Sequence, residues 1–400
     1  FNVHLIAMRA LTQSQAAAVE KLARLKVGAL FMACGTGKTQ TAVALVNSVQ
    51  DVDCLFWLCP CQVKENLVAE LEKCGCKYPA HIVGIESIGC SDRIFMEELA
   101  HIQKFKRVFM VLDESIKIKN ARAKRTTRIL QLAQHAEYRI ILNGTPVTKN
   151  IMDIYTQMQF LSPKILPFKN WYAFRESYCK TTTYKKGGVT KTTDITGYAN
   201  VDHLLSLIKP YVFTCNLELK VGKKYHVLHW WLDYDEQEEY NDLKHELFAN
   251  YREDTSDVNI LAILQKLQHS YACARNKWDL LKEHLTDKPI VFCKYLASRD
   301  AVLERYPHAK VLTYGTGSFG LNLQDYNRII YFDKTFDYSF REQSEGRIYR
   351  NGQKLDCEYY DLTGDIGLEA MIDRCISQKE GLVQHFKKQG KNIKKLIEKL

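Results

Sequence analysis

The tightest constraint on the fold is a series of short runs that are apolar at nearly every position. They are "GALFMA" (28–33), "DCLFWLCP" (53–60), "RVFMVLD" (107–113), "YRIILNG" (138–144), "KPIVFCK" (288–294), "AKVLTYG" (309–315), "NRIIYFDK" (327–334) and "CEYYDLTG" (357–364). A strand with one wet face alternates polar and apolar residues; a strand apolar on both sides has to be covered on both faces. Amphipathic stretches such as "SQAAAVEKLARL" (14–25) and "VKENLVAELEKC" (63–74) lie between many of the runs and read as helices. Buried strands separated by helices predict an α/β fold with parallel sheets.

The pattern changes between about 151 and 275, where aromatic and polar helical stretches dominate. Within it, "KTTTYKKGGVTKTT" (180–193) reads as a basic hairpin or loop, and "KKYHVLHWWLDY" (223–234) as a lone strand. The expected organisation is therefore two α/β units with helical material inserted between or into them. A length of 400 residues is ample for two such cores. The last stretch, "FKKQGKNIKKLIEKL", reads as a basic helix, and no internal repeat is present. No apolar run is long enough to span a membrane, and "FNVHLIAMRA" lacks the layout of a signal peptide. Thirteen cysteines are scattered without a framework, which fits free thiols in a reducing cytosol better than zinc ligands or disulfides. A net charge of +10 is compatible with a polyanionic partner without requiring one.

Two motifs carry chemistry. In "FMACGTGKTQTAVALV" (31–46) a strand runs through glycines into a helix. Backbone N–H groups of such a turn, together with the helix N-terminus, cradle phosphates. Gly35 and Gly37 let the backbone close, Lys38 reaches the terminal phosphates and the Thr39 hydroxyl ligates Mg²⁺. Met32 stands where the usual phosphate-loop pattern has its first glycine. The alternative is a glycine-rich turn with a solvated lysine. The second motif, "RVFMVLDES", ends a buried strand with Asp113 and Glu114. The carboxyl ends of parallel strands are where open α/β sheets bind ligands. There Asp113 holds Mg²⁺ and Glu114 polarises the attacking water; the alternative is a helix cap.

Together with other segments, these motifs resemble the Swi/Snf-type branch of superfamily 2 helicases and translocases, in the right order over nearly the whole chain. "LTQSQ" (11–15) resembles the adenine-reading Q motif, and "MACGTGKT" motif I, whose first glycine is often absent in this branch. "FWLCP" resembles motif Ia, "VLDESIKIKN" motif II, "LNGTP" motif III, "IVFCKYLAS" motif IV, "GTGSFGLNLQ" motif V and "QSEGRIYRNGQ" motif VI. Compact phage-encoded members of the branch are the nearest likeness.

The resemblance implies two RecA-like parallel-sheet lobes. The first covers 1–217 with a helical insert at about 160–208, and the second 218–380 with an insert at about 235–275; a basic helix follows at 381–400. It implies ATP and Mg²⁺, with ATP held by Gln15, Gly35, Thr36, Gly37, Lys38, Thr39 and Gln40, and the metal by Thr39 and Asp113. It assigns catalysis to Lys38, Asp113, Glu114 and, from the other lobe, Gln343 and the arginine fingers Arg347 and Arg350, placed i and i+3 on a helix turn. It implies double-stranded DNA as partner, contacted mainly at phosphates by Gln62, Lys64, Asn143, Thr145 and Asn322. Lys185, Lys186 and the C-terminal lysines join these on charge alone, and Trp230 or Trp231 as stacking platforms. A strand-separating helicase, a P-loop kinase and an ATP-gated binding module remain open as alternatives. The sequence departs from the family in three places. Ile116 replaces the usual histidine of motif II, "PYVFTCNLEL" lacks the usual arginines, and the path from motif IV to motif V is short enough to have lost a strand–helix unit.

Overall fold

A computed structural model describes residues 10–144, 151–186, 189–249, 257–285, 288–317 and 323–377. It divides into two compact units, Phe1–Leu217 and Glu218–Leu400.

In the first unit, strands β1 (Val27–Met32), β2 (Cys54–Cys59), β3 (Ala80–Gly84), β4 (Val108–Leu112), β5 (Tyr138–Asn143) and β8 (Val212–Cys215) form a parallel sheet in the order β3-β2-β4-β5-β1-β8. β6 (Cys179–Lys186) and β7 (Val189–Tyr198) form a separate antiparallel hairpin where the Lys/Thr-rich stretch predicted a hairpin or loop. Every residue of β2 and β4 is buried, as their continuous apolar sequences require. Each fully buried Val, Leu or Phe contributes roughly 1.5–3 kcal/mol. Helices cover the sheet, Lys38–Ser48 directly following β1. The region between β5 and β8 holds the helices Asp153–Leu161, Trp171–Tyr178 and Val201–Ile208 besides the hairpin.

In the second unit, β9 (Lys223–Trp230), β10 (Ile290–Cys293), β11 (Lys310–Thr313), β12 (Arg328–Tyr331) and β13 (Cys357–Gly364) form a parallel sheet ordered β11-β10-β12-β13-β9. The sequence reads β9 as a lone strand; the structure pairs all eight of its residues with β13 at the sheet edge. Its alternation buries Trp230 (1% exposed) and leaves Trp231 outside (58% exposed). Helices Tyr234–Ala249, Asp257–Ser270 and Arg275–His284 occupy the stretch between β9 and β10.

Past the carboxyl ends of β10 and β12 the interior is polar. Lys277 and Asp333, each with a side chain 2% exposed, pair at 3.0 Å, and Asp333 also accepts the Lys294 N–H at 3.1 Å. Lys334 reaches Thr363 and Asp373, both at 2.6 Å. Charges buried this deeply persist only when paired. Among the described residues no helix is long and apolar enough to cross a membrane.

Candidate functional site

The site on the first unit grows out of the parallel sheet. β5 lies between β4 and β1, so the carboxyl ends of all three strands share one edge of the sheet. β1 delivers the glycine loop there, β4 delivers Asp113 and Glu114, and β5 delivers Asn143 and Gly144.

The loop closes through two glycines with positive φ, Gly35 (+83°) and Gly37 (+82°), a region side chains disfavour. Gly37 is fixed twice over. A Cβ there would lie 2.3 Å from the Gln15 amide nitrogen. Gln15 itself is buried, 2% exposed, and held by a capping box at the start of helix Gln13–Leu22. Its Oε1 accepts the Thr12 N–H at 2.9 Å, and its Nε2 donates to the Thr36 carbonyl at 2.9 Å. The resemblance assigns Gln15 to the adenine; in the structure it also braces the glycine loop. Thr36 adds a bond from its hydroxyl to the Ala33 carbonyl at 2.7 Å.

These contacts predict that Gln15→Ala leaves the Thr36 carbonyl and the Thr12 N–H without their partner. The loss of stability is about 1–3 kcal/mol. Gly37→Ala adds backbone strain of about 1–2 kcal/mol and drives a methyl into Gln15. Both variants are expected to melt earlier and to bind ATP more weakly, measured by thermal denaturation with and without the nucleotide.

Lys38 and Thr39 open the helix Lys38–Ser48. The Lys38 ammonium folds over the loop and donates to the Met32 carbonyl at 3.0 Å. The Gly144 backbone packs beside it: a Cβ there would lie 3.6 Å from both Lys38 Nζ and Cys34 Sγ. Gln40 follows on the first turn, its Oε1 3.8 Å from the Cβ position of Gly37.

Burial pushes the Asp113 carboxyl up to about 7, and the neighbouring Glu114 charge pushes the same way. Lys38 and the Glu114 N–H, which donates to Asp113 Oδ1 at 2.9 Å, pull against this. Glu114 is one of few non-glycine residues with positive φ (+51°). Such strain gathers where function over-determines the backbone. The donor set suits a nucleotide with a divalent cation: the backbone of a glycine turn, an ammonium, the first-turn hydroxyl of Thr39 and a carboxyl raised by burial and by a neighbouring carboxylate.

The turn after Glu114 is tied down by residues without a motif in the sequence. The Ser115 hydroxyl donates to Gln157 Oε1 at 2.6 Å, and Thr156 donates to the Ile118 carbonyl at 2.6 Å. Both partners belong to the helix Asp153–Leu161, which follows the third motif. Ile116, where the family has histidine, thus lies in a turn linked to that helix through its neighbour Ser115.

On the second unit, motif VI follows β12. Its helix ends at Glu345, and Gly346 caps it. Arg347 and Arg350 therefore lie in hydrogen-bonded turns beyond the helix, which corrects the expectation of one helical face; the Arg347 N–H still bonds the Ser344 carbonyl at 3.1 Å. Gln343 Oε1 is buried with no hydrogen-bond partner among the described residues. Arg341, unmarked by the sequence reading, anchors the helix. Its guanidinium holds Asp361 with two bonds and Glu345 at 2.9 Å, and lies 3.6 Å from the Tyr331 ring centroid. Tyr225 and Lys223 of β9 also reach Glu345, at 2.9 and 3.0 Å.

Of the expected nucleic-acid contacts, Gln62 and Lys64 are exposed just past β2. Asn143 is 1% exposed at the end of β5. Thr145, Asn322 and the C-terminal lysines lie outside the described residues, as do the side chains of Lys185 and Lys186.

A solved Sulfolobus solfataricus SWI2/SNF2 ATPase core in complex with dsDNA is similar at a TM-score of 0.45, covering 98% of this chain and 95% of that one at 19% identity. The transcription regulatory protein SNF2 of Saccharomyces cerevisiae is 36% identical over 81 residues, 19% of this chain and 5% of its own length. The chromatin-remodeling ATPase INO80 of Sclerotinia sclerotiorum is 25% identical over 176 residues, 44% of this chain and 8% of its own. The chain thus spans less than a tenth of either curated relative. The SNF2-related domain matches residues 59–277, more than half of the chain, and the chain belongs to that family.

Proposed function

We propose that this chain is an ATP-hydrolysing motor that moves along double-stranded DNA. The observation that carries the reading is the shared sheet edge: a glycine cradle after β1 leading into the helix opened by Lys38 and Thr39, and adjacent carboxylates just past β4. A kinase for small molecules would have no use for motif VI or for the exposed Gln62 and Lys64. Family membership and the ATPase named among the relatives support the same reading.

Lys38 and the N–H groups of the loop would take the β- and γ-phosphates. Thr39 and Asp113 would hold Mg²⁺, which neutralises charge on the phosphates. Glu114 orients the attacking water and accepts its proton. By the family resemblance, Arg347 and Arg350 would stabilise the charge that spreads over the transferred phosphoryl group. Gln343 Oε1, buried without a partner among the described residues, would accept a bond from water. Contacts made mainly to phosphates would make DNA binding weakly sequence-specific and salt-sensitive.

Displacement of a third strand from a DNA triplex tests the motion. The reading expects ATP-dependent displacement without unwinding of a forked duplex. Fork unwinding would favour a strand-separating helicase, and ATP binding with no turnover an ATP-gated binding module.

A further inference from the structure

The segment Ser115–Ala136 carries six cationic side chains, Lys117, Lys119, Arg122, Lys124, Arg125 and Arg128, and no acidic residue. Three of them are neutralised from neighbouring helices. Lys117 pairs with Glu86 at 3.5 Å, Lys124 with Asp92 at 2.6 Å, and Arg128 with Asp92 and the Ile88 carbonyl. Arg122 turns the other way. It donates to the Tyr172 hydroxyl, and its guanidinium lies 5.7 Å from that ring's centroid. Arg175, on the same helix as Tyr172, lies 5.6 Å from the same ring and 5.2 Å from Trp171. Trp171 and Tyr172 meet edge-on at 5.3 Å.

Neither Arg122 nor Arg175 has a carboxylate partner among the described residues. Glu176, next to Arg175, is exposed and forms no ion pair with it. The Arg175 Nε is buried without a hydrogen-bond partner. Both guanidiniums thus lie within 6 Å of one ring with no carboxylate beside them, and an exposed ring's attraction offsets little of their charge. An anion beside the ring would supply the missing countercharge. Guanidinium forks match phosphate oxygens, and Tyr172, 48% exposed, offers a flat face to a base or sugar.

We propose that Arg122, Tyr172 and Arg175 form a phosphodiester-binding patch on the first unit, additional to Gln62 and Lys64, that takes the backbone of a nucleic acid. The proposal rests on reading the chain as a DNA motor, and adds a contact that no sequence motif marks.

The test is a salt titration of binding to a fluorescent DNA duplex, with the full chain and with Arg122→Gln/Arg175→Gln. Removing two phosphate contacts should weaken binding roughly tenfold and reduce the slope of log K against log salt by about 2. Arg122→Lys/Arg175→Lys should restore most of the slope. Glu176→Gln, on an exposed side chain with no packing at risk, should tighten binding. Unchanged affinity and slope in the glutamine pair and in Glu176→Gln would overturn the patch, as would a loss of binding to anionic phosphatidylserine vesicles with duplex binding intact. If duplex DNA still accelerates ATP turnover in that case, the motor reading survives. A slope that falls as expected in a chain whose turnover ignores DNA would keep the patch and sink the motor.

Discussion

Glu114→Gln is expected to slow ATP cleavage by about a thousandfold while ATP still binds. The substitution keeps side-chain size and the backbone turn, and removes the charge that accepts a proton from water. Asp113, the Glu114 N–H bond and the Ser115–Gln157 bond are untouched, so the fold should not notice. Lys38→Ala is expected to cost about 10²–10³ in rate and to weaken ATP binding as well. Its ammonium faces the loop and also draws down Asp113, so its loss removes the charge that offsets both phosphates and carboxylates. Phosphate release under saturating ATP, beside titration with a fluorescent nucleotide, separates the two effects. Unchanged turnover in either variant would refute the assignment of the site.

Arg347→Ala is expected to lower turnover by about a thousandfold, with ATP and DNA affinity retained. A lysine at the same position should not rescue the rate, because a point charge cannot reproduce the planar fork. Arg341, clamped by Asp361 and Glu345, sets the helix from which the Arg347 turn springs. Wild-type turnover in an Arg347→Ala/Arg350→Ala chain would leave the second unit without a part in the chemistry.

What was legible in the sequence follows from how local each signal is. The glycine loop and the Asp113–Glu114 pair are contiguous strings whose chemistry dictates their residue types, and both fall at strand ends. β4 announces itself because a strand buried on both faces leaves no polar interruption. β3 and β8 escaped the reading. Both are short edge strands paired on one side only, and half-buried or exposed residues such as His81 and Thr214 blur their pattern. The i and i+3 spacing of the motif VI arginines suggests one helical face, yet the helix ends at Glu345 with Gly346 as its cap. Arg341, Gln157 and Tyr172 act through partners 20 to 50 residues away, so no local pattern marks them. Gln15 was found for its motif, but its grip on Thr36 appears only once the chain has brought residues 21 positions apart together.

The central claim is that ATP cleavage here is coupled to duplex DNA. The most direct test is steady-state ATP turnover of the unaltered chain with duplex DNA, single-stranded DNA, RNA or no nucleic acid, at two salt concentrations. The account predicts strong acceleration by the duplex that fades as salt rises. Turnover indifferent to every nucleic acid at both salts would contradict it.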